Sequence, residues 1–169
     1  MSEFARTYDP RLLPGAEQVL TASTEECAAL ARRFDLVRID RLEARIMLDK
    51  DGAATTAAGR LLADIVQSCA VSGEDLPVSI DEPVSLRFVP DGAPSAPDEE
   101  IELEADELDE ITYSGSQFDL GEALAQTLAL AIDPYAEGPN AEAARQAAGL
   151  NEPEASGPFA ALAALKKKD

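Results

Sequence analysis

The chain has 169 residues, 46% of them hydrophobic, no histidine and a formal net charge of −19. This length and composition predict one globular domain with a moderate core. The charge excludes strong nonspecific binding to nucleic acid over most of the surface, because such binding depends on lysine and arginine displacing counterions from phosphates.

Histidine is absent and cysteine is scarce, although carboxylates are abundant. Without histidine the chain lacks the commonest general base and nitrogen metal ligand, so we expect a non-enzymatic protein with no catalytic residue, no cofactor and no metal. Cys27 and Cys69 are too few for a disulfide framework and lack C-x-x-C spacing, so reduced thiols are expected. No apolar run reaches the roughly 18 residues of a membrane span. The first residues also lack a secretory pattern, which favours a cytoplasmic protein.

The N-terminal part predicts an arm, a short strand and a helix. Residues 1–18 contain two prolines and few apolar residues, and are predicted as an N-terminal arm that leads into an edge strand at Val19–Ala22. Ser23 followed by Glu26 is a capping box. Apolar residues then recur at helical spacing, which predicts an amphipathic helix over Thr24–Phe34 with Cys27 on its buried stripe.

The next segments have the two-residue period of strands. Apolar and polar residues alternate from Arg41 to Asp49, and the Asp51-Gly52 turn signal predicts an antiparallel pairing with a second strand that starts at Gly59. A third strand is predicted over Leu76–Val89. Pro83 within it cannot donate a ladder hydrogen bond, so we expect a bulge or a sheet edge there.

An acidic run follows the proline-rich loop at Pro90–Pro97. Residues 97–111 contain nine carboxylates, and no lysine or arginine occurs between Arg87 and Arg145. Alternating apolar residues inside the run indicate a short edge strand, whose outer charges repel a second sheet. The other interpretation is a surface for a basic partner, formed by Glu99, Glu100, Glu102, Glu104 and Glu107.

The remaining elements are helical. Asp119 is predicted to cap a helix that runs to Ile132 and ends before Pro134. Residues 136–169 are rich in Ala, Pro and Glu, with a weak helix at Ala141–Ala148 and a short basic-tailed helix at the end. The sequence therefore predicts an arm (1–18), a core (19–135) and a C-terminal segment (136–169). The predicted fold class is α+β, a twisted antiparallel sheet of about four to six strands covered by two main helices.

Basic residues are concentrated at the first helix and first long strand. Two interpretations remain open for them, pairing with the acidic half of the chain or contact with RNA phosphates or another partner. Cys69 lies at an inward position of its predicted strand and is interpreted as a buried structural thiol in apolar surroundings. The candidate contact residues are Arg32, Arg33, Arg38, Arg41 and Arg45.

Several stretches in one order carry a family resemblance: ARRFDLVRIDRLEARIML, VQSCAVSGEDLPVSIDEPVSLRFVP, DELDEITYSGSQFDLGEALAQTLALAIDPY and PFAALAALKKK. Over about residues 15–168 the chain resembles the YceD-like family of large ribosomal RNA subunit accumulation proteins, in its proteobacterial form. The most specific part is the acidic run followed by F-D-L-x-E and the helix up to I-x-P-Y. The matching residues are Cys69, Phe118, Asp119, Leu120, Glu122, Pro134 and Tyr135.

The resemblance implies a cytoplasmic bacterial protein with a role in accumulation of large-subunit ribosomal RNA and no established catalytic residue. Some relatives have C-x-x-C and a second cysteine cluster, similar to a zinc site. Here Ser72 replaces the second thiol, so zinc is not expected.

We therefore expect a non-enzymatic accessory factor in large-subunit biogenesis. Its expected partners are large-subunit ribosomal RNA or its precursor, a basic ribosomal protein, or both. The alternative is an acidic binding module or chaperone for one basic ribosomal protein, without direct RNA contact. A hydrolase or nuclease that uses carboxylates and Mg²⁺ is disfavoured, because no pattern brings two acids together on one metal.

Overall fold

The computed structural model describes residues 2–92 and 109–150. The described residues form an α+β fold, which confirms the predicted class. In chain order, its elements are β1 (Thr7–Tyr8), β2 (Gln18–Thr21), α1 (Thr24–Arg33), β3 (Arg38–Asp51), β4 (Ala54–Ser68), β5 (Asp75–Pro90), β6 (Asp109–Tyr113), β7 (Phe118–Asp119), α2 (Leu120–Ala131) and α3 (Ala141–Ala147).

The larger sheet has five strands in the order β2-β3-β4-β5-β6, and the smaller sheet pairs β1 with β7. β3 is antiparallel to both β2 and β4, as predicted. β6 is parallel to β5, with Leu86 opposite Asp109, so the sheet is mixed where a wholly antiparallel sheet was predicted. A parallel neighbour needs a crossover connection of about a dozen residues or more, and residues 91–108 exceed that length.

The first hairpin is longer than predicted. β3 begins at Arg38 and β4 at Ala54, before the expected starts at Arg41 and Gly59. The ladder continues to Asp51 opposite Ala54, so the alanine-rich start of β4 is held by pairing with β3 despite its weak strand propensity. The predicted turn at Gly52 is confirmed, with φ of 60°.

One face of the larger sheet is buried. On β3 the side chains of Leu42, Ala44 and Ile46 are at most 1% exposed, whereas Arg41 and Arg45 on the opposite face are exposed. Apolar side chains of α1 and α2 belong to the same core cluster as the buried residues of β3. The other face of the sheet is solvated, as antiparallel sheets permit.

Both predicted helix caps are present. Ser23 and Glu26 form the reciprocal capping box of α1, and Asp119 accepts a hydrogen bond from the backbone N–H of Glu122 at the start of α2. α3 confirms the weak helix that was predicted near Ala141. The edge strand predicted inside the acidic run and the basic-tailed final helix lie outside the described residues.

The N-terminal segment, predicted as an arm, contributes β1 and a core residue. Phe4 is 1% exposed, and the backbone N–H of Arg6 donates to Asp119 Oδ1 at 2.8 Å. The segment crosses the first turn of α2 at Gly121, where a Cβ atom would lie 1.8 Å from the carbonyl oxygen of Phe4. The absence of a side chain at Gly121 therefore allows the two backbones to approach.

The chain divides into two compact units. The described part of the larger contains residues 2–67, 77–92 and 109–132, with the sheet core described above. The described part of the smaller joins residues 68–76 to residues 133–150 and includes α3. The smaller unit thus combines two segments that are distant in the chain.

We predict that Gly121→Ala lowers the free energy of unfolding by roughly 3 kcal/mol, because the new methyl group displaces the N-terminal segment and exposes Phe4. Gly15→Ala is the matched control, since no atom lies within 4 Å of a Cβ at that position. Urea unfolding of both variants measures the difference. Equal stability of the two variants would contradict the close approach.

Candidate functional site

Two of the predicted contact residues, Arg41 and Arg45, lie on the solvated face of β3. Both share one carboxylate, Glu43, with N···O distances of 3.2 and 3.0 Å. These two arginines hold the pKa of Glu43 below its ordinary value, Arg45 having the larger effect. Arg41 also lies 3.9 Å from Asp64, so two cations face two carboxylates and no net positive charge remains at this point of the sheet.

The neighbouring strand adds an arginine that sequence reasoning missed. Arg60 on β4 lies directly opposite Arg45 in the ladder. Arg60 pairs with Asp81 of β5 at 2.8 Å, and both side chains are more than half exposed. No local signal identifies this juxtaposition, because it depends on the register between two strands.

The other predicted arginines have different positions. Arg33, at the end of α1, forms two hydrogen bonds to Glu122 at 2.6 and 2.9 Å and a third to Glu3 at 2.8 Å. Arg33 lowers the pKa of Glu122 to about 2. Arg38 pairs with Asp40 at 2.9 Å, and Arg32 is exposed in the last turn of α1. Arg33 thus links α1 to α2 and to the N-terminal segment. The five arginines therefore do not form one surface cluster.

The carboxylates predicted as a basic-partner surface, Glu99 to Glu107, lie outside the described residues. The described end of the same acidic run is the start of β6, where Asp109 and Glu110 are both exposed. Arg87 of β5 approaches Glu110 at 3.7 Å and Asp51 at 3.2 Å. The acidic run therefore reaches the sheet beside β5.

The first residues of the F-D-L-x-E motif form a structural junction. The Phe118 ring stacks on Phe88 with 4.3 Å between ring centroids and also contacts Tyr113. Asp119 caps α2, and Leu120 is fully buried. These residues hold β7 and α2 against the sheet, which accounts for the motif without a binding role.

The last motif residues are exposed. Pro134 is exposed, and Tyr135 keeps 80% of its surface in solvent. The backbone N–H of Tyr135 donates to Asp133 Oδ1 at 2.9 Å, so the turn is ordered by a local hydrogen bond while the ring stays accessible. No contact of the Tyr135 ring within the described residues explains its presence.

Cys69 follows β4 and is buried, as predicted. The expected apolar surroundings are not found, because its Sγ accepts hydrogen bonds from the backbone N–H groups of Gly138 at 3.2 Å and Ser72 at 3.4 Å. These donors, Gly138 foremost, lower the pKa of the thiol to about 6 against the opposing effect of burial. The net shift is opposite at Cys27, where burial is the largest effect and raises the pKa of the thiol.

The same loop joins the two segments of the smaller unit. The backbone N–H of Ala70 donates to the carbonyl of Ala136 at 3.0 Å, and the Asn140 amide donates to Glu74 at 2.9 Å. Cys69 Sγ adds a third link through Gly138. The thiol therefore acts as a hydrogen-bond acceptor between distant segments.

The residues around Cys69 do not fit a zinc ion. Tetrahedral zinc sites need four ligands, usually thiolates and imidazoles. This chain has no histidine and two cysteines in all, and Cys27 lies on α1, within the core of the larger unit. Within residues 2–92 and 109–150, no group of three or more potential ligands forms a metal site.

The described residues form an α+β fold in a strongly acidic chain, and one face of its larger sheet carries exposed charged side chains. A family model described as "Large ribosomal RNA subunit accumulation protein YceD" matches residues 57–166, and the chain belongs to this family. Membership implies a role in the accumulation of large-subunit ribosomal RNA, and the family is not known as enzymatic. No curated protein and no solved structure matches the chain. In the described part of the chain, every helix is too short or too polar to span a membrane.

We predict that the Cys69 loop becomes more stable as pH rises. The folded-state pKa is lowered from 9.0 to about 6, so the thiolate contributes stability above the unfolded pKa and loses it as pH falls through about 6. Hydrogen-exchange protection of the Ser72 and Gly138 amides, corrected for intrinsic rates, should therefore increase from pH 6 to pH 9.

The control is Cys69→Ser, whose hydroxyl accepts hydrogen bonds but does not ionise in this range. Protection in that variant should not change with pH. In a Cys27→Ala variant, where Cys69 is the single thiol, titration at or above the ordinary cysteine value, followed by ultraviolet absorbance, would contradict the assignment.

Proposed function

We propose that this protein is a non-enzymatic cytoplasmic accessory factor in large ribosomal subunit biogenesis, which supports processing, stability or accumulation of the large-subunit ribosomal RNA. Within that role, we propose that it acts by holding or docking a basic ribosomal protein. The observation that carries the proposal is the distribution of charge. Arg33, Arg38, Arg41 and Arg45 each have a carboxylate of the same chain within 3.2 Å, while the chain keeps a net charge of −19.

Arginines neutralised in this way offer little net charge to a phosphate backbone. RNA affinity depends on cations that replace the counterions of phosphates, and each arginine here must first leave its carboxylate. The long acidic stretch from residue 88 to residue 144, by contrast, holds no lysine or arginine at all. The charge distribution therefore favours a cationic partner over RNA.

Ribosomal proteins are strongly basic, and opposite net charges accelerate association. Electrostatic steering raises encounter rates by about 10- to 1,000-fold at low ionic strength. An acidic factor that captures such a protein limits its nonspecific contact with RNA and presents it to the assembling subunit. This action requires no catalytic residue.

Direct RNA contact at the exposed sheet face is the second candidate, and one observation favours it. Arg45 and Arg60 are directly opposite on adjacent strands, an arrangement that repels unless an anion lies between or beside the two guanidinium groups. Arg60 and Asp81 form an exposed pair, worth about 0–1 kcal/mol, whereas Glu43 beside Arg45 is only 16% exposed. A phosphate can therefore replace Asp81 beside Arg60 at small cost.

The experiment that separates these candidates measures binding of the wild-type protein to labelled large-subunit ribosomal RNA and to individually purified large-subunit ribosomal proteins. Tight, salt-sensitive binding to a basic ribosomal protein without RNA supports the first. Binding to RNA alone supports the second. Unchanged levels of large-subunit ribosomal RNA in cells that lack the protein would remove the proposed function itself.

We predict that changing Glu99, Glu100, Glu102, Glu104 and Glu107 to Gln leaves the fold intact, since relief of like-charge repulsion does not destabilise it. If these carboxylates receive a basic protein, the association rate should fall severalfold at low salt and much less at high salt, where charges beyond a Debye length of about 8–10 Å are screened. If they only block edge pairing, the variant should aggregate or dimerise yet still support ribosomal RNA accumulation. Stopped-flow kinetics and cell complementation distinguish the two.

We predict that the triple change of Arg38, Arg41 and Arg45 to Gln alters stability by about 0–1 kcal/mol per residue, because exposed ion pairs contribute little. The amount of this protein that sediments with ribosomal particles should stay unchanged if a basic protein is the partner. A marked loss from those particles would instead assign the arginines to RNA contact. Arg33 is unsuitable as a probe because it links α1 to α2.

A further inference from the structure

A groove lies in the larger unit between β5 and the last turn of α2. Its cavity has a volume of about 140 Å³. Val84 and Leu86 of β5 line it and are each 4% exposed, and Leu130 of α2 stands beside it with 85% of its surface in solvent. A leucine this exposed next to a cavity is available for contact with an apolar partner. Removal of its apolar surface from water by such a partner would lower the free energy of the complex.

The rim of the groove is acidic. Glu82 and Asp109 line it, and no lysine or arginine does. No described cation lies within ion-pair distance of either carboxylate, although Asp81 and, to a lesser extent, Glu82 raise the pKa of the nearby Arg60. The groove also adjoins the acidic run, which ends on β6 at Glu110.

Backbone chemistry limits how a partner can bind here. Pro83 lies in the groove wall and has no N–H, so a strand added along this part of β5 would miss a ladder hydrogen bond. Thr127 already donates its hydroxyl hydrogen to the carbonyl of Ala123 at 3.1 Å. The remaining means of recognition are insertion of an apolar side chain and attraction of positive charge.

We propose that this groove is the docking site for a protein segment that inserts one apolar side chain against Leu130 and places lysine or arginine against Glu82 and Asp109. The proposal rests on the proposed function, and it assigns the basic ribosomal protein a specific contact on β5 and α2. A cavity of this volume is close to one that accepts a single small aromatic ring. One large apolar side chain therefore fits it.

The test uses the full chain and individually purified large-subunit ribosomal proteins as probes. With the probe that binds the wild-type protein most tightly, Leu130→Ser should weaken affinity by about tenfold or more, as expected for loss of one buried leucine contact. Leu130→Met, which keeps an apolar side chain, should bind within about twofold of wild type. Leu12→Ser is the matched control, because Leu12 is 80% exposed and lies outside the groove, and it should bind as wild type does.

A second variant tests the charged rim through the association rate. Glu82→Gln combined with Asp109→Asn should slow association at low salt and have little effect at high salt. Melting temperatures of the Leu130 and Leu12 variants should match wild type, since both side chains are at least 80% exposed. Equal effects of the changes at Leu130 and Leu12 would overturn the groove proposal and leave the proposed function standing.

Three further outcomes also overturn the proposal. If no ribosomal protein binds the wild-type chain, both the groove and the basic-partner mode fail. If labelled large-subunit ribosomal RNA binds and Leu130→Ser abolishes that binding, the groove binds RNA and not a protein segment. If the wild-type chain is a dimer by light scattering and Leu130→Ser is a monomer, a second copy of the chain occupies the groove.

Discussion

The Asp119 carboxylate joins three parts of the larger unit, and the arrangement of the rest depends on it. Its Oδ1 atom accepts a hydrogen bond from the backbone N–H of Arg6 and another from that of Glu122, at 2.8 and 3.2 Å. The first fixes the N-terminal segment, and the second begins α2. Phe118, the preceding residue, stacks on Phe88 of the sheet. One side chain thus couples the chain start, the second helix and the core.

Ion pairs around this junction determine which arginines remain available to a partner. Arg6 binds both carboxylate oxygens of Glu26 on α1, and Arg33 binds both oxygens of Glu122 on α2. Such bidentate pairs are stronger and geometrically more specific than single contacts. They assign these cations to the fold. The surface then carries the uncompensated carboxylates, which is the basis for the proposed basic partner.

Interactions between residues close in sequence made much of the fold predictable. The capping residues Ser23 and Asp119 mark the starts of α1 and α2, because a side-chain acceptor must satisfy free N–H groups there. Alternation along β3 identified its buried face correctly. The candidate site was less predictable, because the arginines named from their proximity in sequence separate onto a helix end and a sheet face.

The sequence by itself determined the α+β class, the helix caps, the extreme acidity and the family. These depend on composition and on interactions between residues a few positions apart. Tertiary structure alone decided that Arg60 lies opposite Arg45, that β6 runs parallel to β5, and that Leu130 stands beside an acidic groove. Strand register and helix packing join residues far apart in the chain, and no local period encodes which distant partner a strand will choose.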